Sequence, residues 1–396
     1  MLQSQLVSIY VHIPFCRSRC TYCDFNTYAG MEAYIADYTT ELVKEIHLAR
    51  PLLKAEERIH TIYFGGGTPT ILQAQQFAHI LECIRREYPL TEDVEVTTEA
   101  NPLLLTIEGL QALKRAGVDR LSMGMQSGNP QELKLLGRRH SPADVKQSVD
   151  FARQAGFENI NLDLIFGIPG QSLESLQDSL EKALALRPEH LSLYSLTVEE
   201  GTPLARMLRE GSVPEPDADV AADMYEWQMN YLPGQGFEQY EISNWTREKD
   251  CRSRHNLQYW HTQPYLGFGA GAHSYYEHTR WANTAAIPDY IGRIHGAQTW
   301  QLDKPPAAVD VLPLSEWDEI QETMMMGLRL TEEGVSDNAF QARFGKNMEE
   351  IYSKEIASLL ENGLLEWTGE GLARRLRLMR RGRMLGNQVF MQFIEG

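Results

Sequence analysis

Basic charge is scarce in this chain: 37 lysines and arginines stand against 54 aspartates and glutamates, for a net charge of -17. A surface that follows a phosphate backbone carries basic charge, so the balance argues against nucleic acid as a partner. Long hydrophobic runs are also missing. No stretch reaches the roughly 18 apolar residues of a membrane-spanning helix, although 43% of the chain is apolar and a sizeable core is available. The opening MLQSQLVSIYVHIPF has no basic start, long apolar run or small-residue cleavage site, so a cytoplasmic protein without a secretory signal is expected. Cysteine is sparse, and its five positions do not form a disulfide framework. Cys16, Cys20 and Cys23 fall within eight residues, while Cys83 and Cys251 stand far away. That clustering suits a reducing compartment and a metal site. Cys83, among Phe77, Ile80, Leu81 and Ile84, reads as core packing.

Short apolar, β-rich runs at 8–15, 59–64, 94–99, 119–126, 159–167 and 190–196 alternate with amphipathic helical stretches at 33–50, 73–88, 106–117, 141–156 and 172–187. Ser141 followed by Pro142 marks a helix start, and Gly117 a helix stop. Six such units predict an α/β fold, a partial (β/α)6 barrel with its active face at the strands' C-terminal ends. After residue 196 the pattern changes. A Pro/acidic stretch, 211–219, precedes an aromatic, glycine-rich segment, and Pro305, Pro306 and Pro313 mark a second boundary. Helices at 315–330, 336–345 and 348–362, then a hairpin of 364–367 and 376–379, predict a C-terminal winged-helix-like domain. The expected segments are a barrel at 1–215, a barrel-closing segment at 216–304 and the C-terminal domain at 305–396.

The loop after the first strand reads C-R-S-R-C-T-Y-C. Thiolates bind iron, and a [4Fe-4S] cubane held by Cys16, Cys20 and Cys23 keeps one iron free of protein ligands. That iron can take the amino and carboxylate groups of S-adenosylmethionine (SAM). An electron from the reduced cluster then cleaves a C–S bond of the sulfonium. The alternatives are a zinc site short of one ligand, or buried thiols. The second strand ends in Gly65-Gly66-Gly67-Thr68-Pro69, where backbone can approach a ligand closely. Glu99, Gln126 and Asp163 recur where later strands end. Each costs about 1–3 kcal/mol if buried without a partner. Glu99 and Asp163 suit ribose hydroxyls, and Arg138 suits a carboxylate.

With Y-V-H-I-P-F-C at 10–16, the cluster loop, GGGTP, E-A-N-P at 99–102, S-M-G-M-Q at 122–126 and D-L-I-F-G-I-P at 163–169, the chain resembles the radical SAM superfamily, specifically its coproporphyrinogen-dehydrogenase-like branch. The resemblance covers most of the chain. It implies that Tyr10, Gly66, Gly67, Thr68, Glu99, Gln126, Arg138 and Asp163 occupy SAM-contact positions. It also implies that Tyr22 lies beside the cluster and that a reductant protein supplies the electron. Two departures point away from decarboxylation of coproporphyrinogen III. Phe25 stands where those dehydrogenases carry a fourth cysteine, and only 15 residues precede Cys16, so no covering arm is expected.

His255-Asn256-Leu257-Gln258-Tyr259-Trp260, followed by Gly267-Phe268-Gly269-Ala270-Gly271-Ala272-His273, resembles the heme-chaperone members of the same branch, where this element is associated with heme binding. His255 can ligate heme iron, with His273 the second candidate. Tyr259 or Trp260 can pack on the macrocycle, and Arg252 and Arg254 can pair with propionates. The alternative is that the segment only packs, with His255 hydrogen-bonded. Six arginines between Arg374 and Arg383 read as a solvated hairpin face, or as a contact for an anionic membrane surface or an acidic acceptor protein. Three activities stay open: a heme chaperone delivering heme to acceptor proteins, an oxygen-independent coproporphyrinogen III dehydrogenase, and a radical SAM methyltransferase. Phe25, the short N-terminus and the His255–Trp260 element favour the chaperone. Whether SAM is turned over stays open.

Overall fold

The structure, a computed structural model, describes residues 6–394. Its contacts group the chain into two units, one running to Ala221 together with Pro264–Pro313, the other Ala222–Gln263 together with Leu314 onward. The stretch 216–304 is therefore shared between both units.

In the first unit a period-two alternation writes the strands. In β1 (Leu6–Ile13), Ile9, Val11 and Ile13 are fully buried on one face, and Ser8, Tyr10 and His12 take the other. The same division of polar from apolar rows runs through β2 (Arg58–Gly66), β3 (Leu90–Ala100), β4 (Arg120–Gln126), β5 (Asn159–Phe166) and β6 (His190–Ser195). These six strands pair in parallel in chain order. The connecting helices are α1 (Ile35–Leu48), α2 (Ala74–Glu87), α3 (Ile107–Ala116), α4 (Pro142–Gln154) and α5 (Leu173–Ala185). Parallel strands need such crossovers, and the apolar row supplies the core between sheet and helices. Ser141 caps α4 through a capping box, and Gly117 ends α3 at φ 95°.

The radical-SAM-like half-barrel expected from the sequence is present, and the sheet is longer than its six units. β7 (Tyr265–Phe268) pairs in parallel outside β1. β8 (His273–Tyr276), β9 (Thr279–Asn283) and β10 (Ala308–Pro313) then continue antiparallel. The helix α6 (Ile287–Gly296) lies between β9 and β10 in the chain. In this unit the strand order is β10-β9-β8-β7-β1-β2-β3-β4-β5-β6.

The second unit holds the helix Arg254–Trp260 and the tail. Helices Glu316–Gly327, Asp337–Phe344 and Ser353–Glu361 pack with the hairpin Leu365–Thr368 and Arg375–Leu378. Val335–Ser336 adds a third antiparallel strand. The stretch expected as one helix, 348–362, breaks at Tyr352, between Met348–Ile351 and Ser353–Glu361. One apolar cluster, including Met324, Leu328, Phe340, Ile356, Leu376 and Leu378, joins helices to wing. Among the described residues no helix is long and apolar enough to cross a membrane.

Leu376 is fully buried in that cluster. Leu376→Ala should destabilise the protein by about 2–5 kcal/mol in denaturant unfolding. A loss below about 1 kcal/mol would show that the wing contributes little to this core.

Candidate functional site

The cluster loop leaves β1 and is closed by a two-residue parallel ladder, Phe15–Cys16 against Tyr28–Ala29. Its three thiols are free and half-buried, each beside a polar group. Cys16 Sγ lies 3.7 Å from Thr68 Oγ1, and Cys23 Sγ 3.8 Å from Thr27 Oγ1. Cys20 Sγ accepts from Arg138 Nη1 at 3.4 Å. Burial pushes the thiols of Cys16 and Cys23 up, the neighbouring thiols add to this, and the threonine hydroxyls oppose it. Thiols in that state become thiolates when metal charge joins them. Among the described residues no three His, Cys, Asp or Glu side chains converge on a single ion. Position 25 is Phe25, 65% exposed. The donor set is three sulfurs on one loop, and it fits a cubane that keeps an iron free of protein ligands.

The glycine run meets this loop backbone to backbone. Gly67 N–H donates to Ile13 O and Thr68 N–H to Phe15 O, both at 2.9 Å. A Cβ at position 67 would lie 2.6 Å from Phe15 O. Gly66, at φ 106°, packs on the His12 ring, and its N–H donates to Glu99 Oε2 at 3.1 Å. These amides are thus committed within the protein, and the run's first use is to seat the strand end that carries Cys16.

Around it the polar faces of the strands meet. Tyr10 stacks with Tyr63, and Tyr63 Oη donates to Glu99 Oε1 at 3.0 Å. Burial pushes Glu99 up to about 7, the charge of Asp163 adding to this and the bonds from Tyr63 and Gly66 opposing it. Asp163 is also raised by burial, against hydrogen bonds and the charge of Arg120. Asn161 Nδ2 donates to Asp163 Oδ1 at 2.7 Å and to Ser122 Oγ at 2.8 Å, while Asn161 Oδ1 accepts from His190 Nδ1 at 2.7 Å. Gln126 ends β4 at φ 65°, a left-handed conformation that is costly for a residue with a side chain. A Cβ at Gly124 would strike Gln126 and Arg138, and Arg138 Nη2 donates to Gly124 O at 2.9 Å. Tyr22 packs with Leu136, Ile165 and Ile168, and burial pushes its hydroxyl up.

The structure therefore draws Tyr10, Gly66, Glu99, Asp163, Gln126, Arg138 and the three cysteines into one connected set at the strand ends of the first unit. Tyr63 and His190 also join it without having been singled out from the sequence. Ser122 and Asn161 were not singled out either. Their signal was available: both are polar residues at alternate positions of strands whose other row is apolar.

His255 lies in the second unit. It is buried, its Nε2 is 3.0 Å from Tyr259 Oη, and the two rings meet edge to face. Arg252 pairs with Glu332 and stacks on Tyr240, so it is engaged within the protein. His273 is exposed in β8. The six arginines of the tail have internal partners. Arg374 pairs with Asp337 and Glu349 and lies over Trp367, Arg377 pairs with Glu366, and Arg380 with Glu226. Arg375, Arg381 and Arg383 donate to Glu333 O, Asn362 O and Gln239 Oε1.

Comparison with known proteins agrees with this fold. The model of the radical SAM superfamily matches residues 10–183, and that of the HemN C-terminal domain matches 314–385. The chain is 38% identical to the heme chaperone HemW of Bacillus subtilis, over 98% of this chain and 99% of that protein. It is 36% identical to the mouse mitochondrial radical S-adenosyl methionine domain-containing protein 1, over 93% and 84%. The solved coproporphyrinogen III oxidase HemN of Escherichia coli superposes with a TM-score of 0.83 at 22% identity, over 99% of this chain and 90% of that one. The chain is a member of the radical SAM superfamily, a class that carries a [4Fe-4S] cluster and SAM. Within it, the chain belongs to the family of the proteins named HemW.

Two outcomes are expected. Replacing Cys16, Cys20 or Cys23 by alanine should abolish bound iron and sulfide, while Cys83→Ala, in the core, should not; full iron content in Cys20→Ala would contradict the ligand set. The second concerns pH. Glu99 holds its proton up to about 7 in the folded chain against an ordinary 4.5, so the unfolded chain releases it first. Stability should therefore fall as pH rises from about 4.5 to about 7, by on the order of 3 kcal/mol from this group. Thermal unfolding of cluster-free Glu99→Gln should show a smaller drop across that window than the wild type. An equal drop would assign the pH dependence elsewhere.

Proposed function

We propose that this protein is a heme chaperone. It holds its cluster on Cys16, Cys20 and Cys23, with Tyr22 beside it. It takes SAM between Tyr10, the run Gly66-Gly67-Thr68, Glu99, Gln126, Arg138 and Asp163. It binds heme and hands it to acceptor proteins, and a reductant protein charges the cluster. The observation that carries the reading is the 38% identity, along nearly the whole of both chains, with a protein named heme chaperone. Phe25 supports it: an exposed ring offers neither thiol nor thiolate where a decarboxylating dehydrogenase would carry its fourth cysteine. The likeness to HemN is one of fold and carries no decarboxylation with it. The arginines of the tail are tied to internal partners, so contact with a membrane surface has little support, and handover between proteins is the reading kept.

His255 is the proposed iron ligand. Its Nε2 faces Tyr259, so ligation through that nitrogen requires their hydrogen bond to open. Reconstituted protein should be titrated anaerobically with heme. The wild type should shift the Soret band without SAM. His255→Ala should weaken binding, and Tyr259→Phe, which releases Nε2 from this bond, should keep or tighten it. An unchanged spectrum and affinity in His255→Ala would move the ligand, with His273 next. Formation of protoporphyrinogen IX from coproporphyrinogen III, with SAM and reductant present, would overturn the chaperone reading.

A further inference from the structure

The segment Gly267–His273 is dense in glycine, yet its groups are spent on the protein. Gly269 N–H donates to Glu45 Oε2 at 2.8 Å. Ala270 N–H donates to Tyr38 Oη at 2.9 Å, and Tyr38 Oη donates in turn to His12 O at 2.8 Å. Glu45, fully buried in α1, also accepts from Asn283 Nδ2 at 2.7 Å and from Tyr290 Oη at 2.6 Å. Three donors on one buried carboxylate fix the segment to α1, and Tyr38 ties it to the carbonyl of His12 in β1.

The segment also holds the chain that follows the cysteines. Asn26, three residues after Cys23, donates both Nδ2 hydrogens, to Ala270 O and to Ala285 O, each at 3.0 Å. Its own carbonyl accepts from His12 Nε2 at 2.9 Å. That bond leaves His12 Nδ1 as the acceptor for Tyr10 Oη, 2.9 Å away, and so sets the tautomer. Tyr28 Oη adds a bond to Ala285 O at 3.0 Å. Close approach explains the glycines. At φ 104°, a Cβ on Gly269 would lie 2.5 Å from Tyr38 Oη and 2.6 Å from His12 O. At φ 76°, a Cβ on Gly271 would strike the Asn26 amide.

We propose that the Gly267–His273 segment is a clamp for the cluster loop and that Asn26 is the positioning residue through which it acts. The clamp rests on the reading that Cys16, Cys20 and Cys23 hold the cluster. Asn26 is suited to the task because a carboxamide carries two donors, so one side chain ties the loop to two separate strand ends. Neither aspartate nor leucine can do this. The clamp also accounts for a motif that heme binding alone would leave without a structural role: its glycines admit Asn26 and Tyr38 rather than a ligand.

The full chain should be reconstituted anaerobically as wild type, Asn26→Ala, Tyr28→Phe, Ser141→Ala and Cys23→Ala. Iron and sulfide per chain are measured before and during exposure to an iron chelator, with the EPR line shape of the reduced cluster as a second readout. Asn26→Ala should load the cluster but release iron about tenfold faster, the scale of two lost hydrogen bonds, with an altered EPR line. Tyr28→Phe should move the same way by less. It stands in for Asn26→Ala if that variant fails to fold. Ser141→Ala, which weakens a helix cap far along the chain, should leave both readouts unchanged and so separates positioning from general loss of stability. Wild-type iron release and EPR in Asn26→Ala would overturn the clamp, as would wild-type behaviour of Tyr28→Phe when it alone folds. A full cluster in Cys23→Ala would instead overturn the ligand reading beneath it.

Discussion

The cluster loop depends on two backbone hydrogen bonds, from Gly67 and Thr68 to the carbonyls of Ile13 and Phe15. They bring the end of β2 against the exit of β1 at a distance that admits no Cβ at position 67. Thr68 then stands beside Cys16, and Gly66 against the ring of His12. From His12 the order passes to Asn26 and Tyr10. A substitution in the glycine run therefore acts on the thiol loop before it acts on any ligand. Loops carry chemistry when a rigid scaffold positions them, and here the scaffold reaches the loop from β2 on one side and from the β7–β8 segment on the other.

The polar row of the sheet creates the second constraint. Glu99 and Asp163 are partly buried, and the charge of Asp163 raises the cost of ionising Glu99. Glu99 in such surroundings holds its proton up to about 7, and Asp163 is shifted in the same direction, until a positive partner arrives. At the proposed site SAM would bring a sulfonium and an ammonium charge, which favour the ionised forms that accept hydrogen bonds from hydroxyls. Asn161 keeps Asp163 oriented meanwhile, because both ends of its amide are engaged.

The half-barrel was legible because its signals are local. Alternation in I-Y-V-H-I and N-L-D-L-I separates a buried apolar row from a polar one, and Ser141, Pro142 and Gly117 punctuate helices by backbone chemistry. The cysteine spacing was legible for the same reason. The strands β7–β10 were not, since they are short and broken by glycine-rich turns, and β7 takes its parallel partner, β1, from the far end of the chain. Asn26 was equally hidden: its role lies in Ala270 and Ala285, which follow it by more than 200 positions. The break at Tyr352 escaped the helical pattern because its apolar spacing continues through it, while its backbone leaves the helix at φ -118° and ψ 38°. The arginines of the tail looked like a free basic face because charge can be read from sequence and pairing cannot.

The proposed site is a three-thiol cluster whose fourth iron takes SAM. Electron–nuclear double resonance on the reduced cluster, with SAM labelled at its amino nitrogen and carboxylate oxygens, reads that bond directly. The account predicts hyperfine coupling from both labels, and its loss on adding unlabelled SAM in excess. An intact cluster with no coupling to either label while SAM is bound would contradict it.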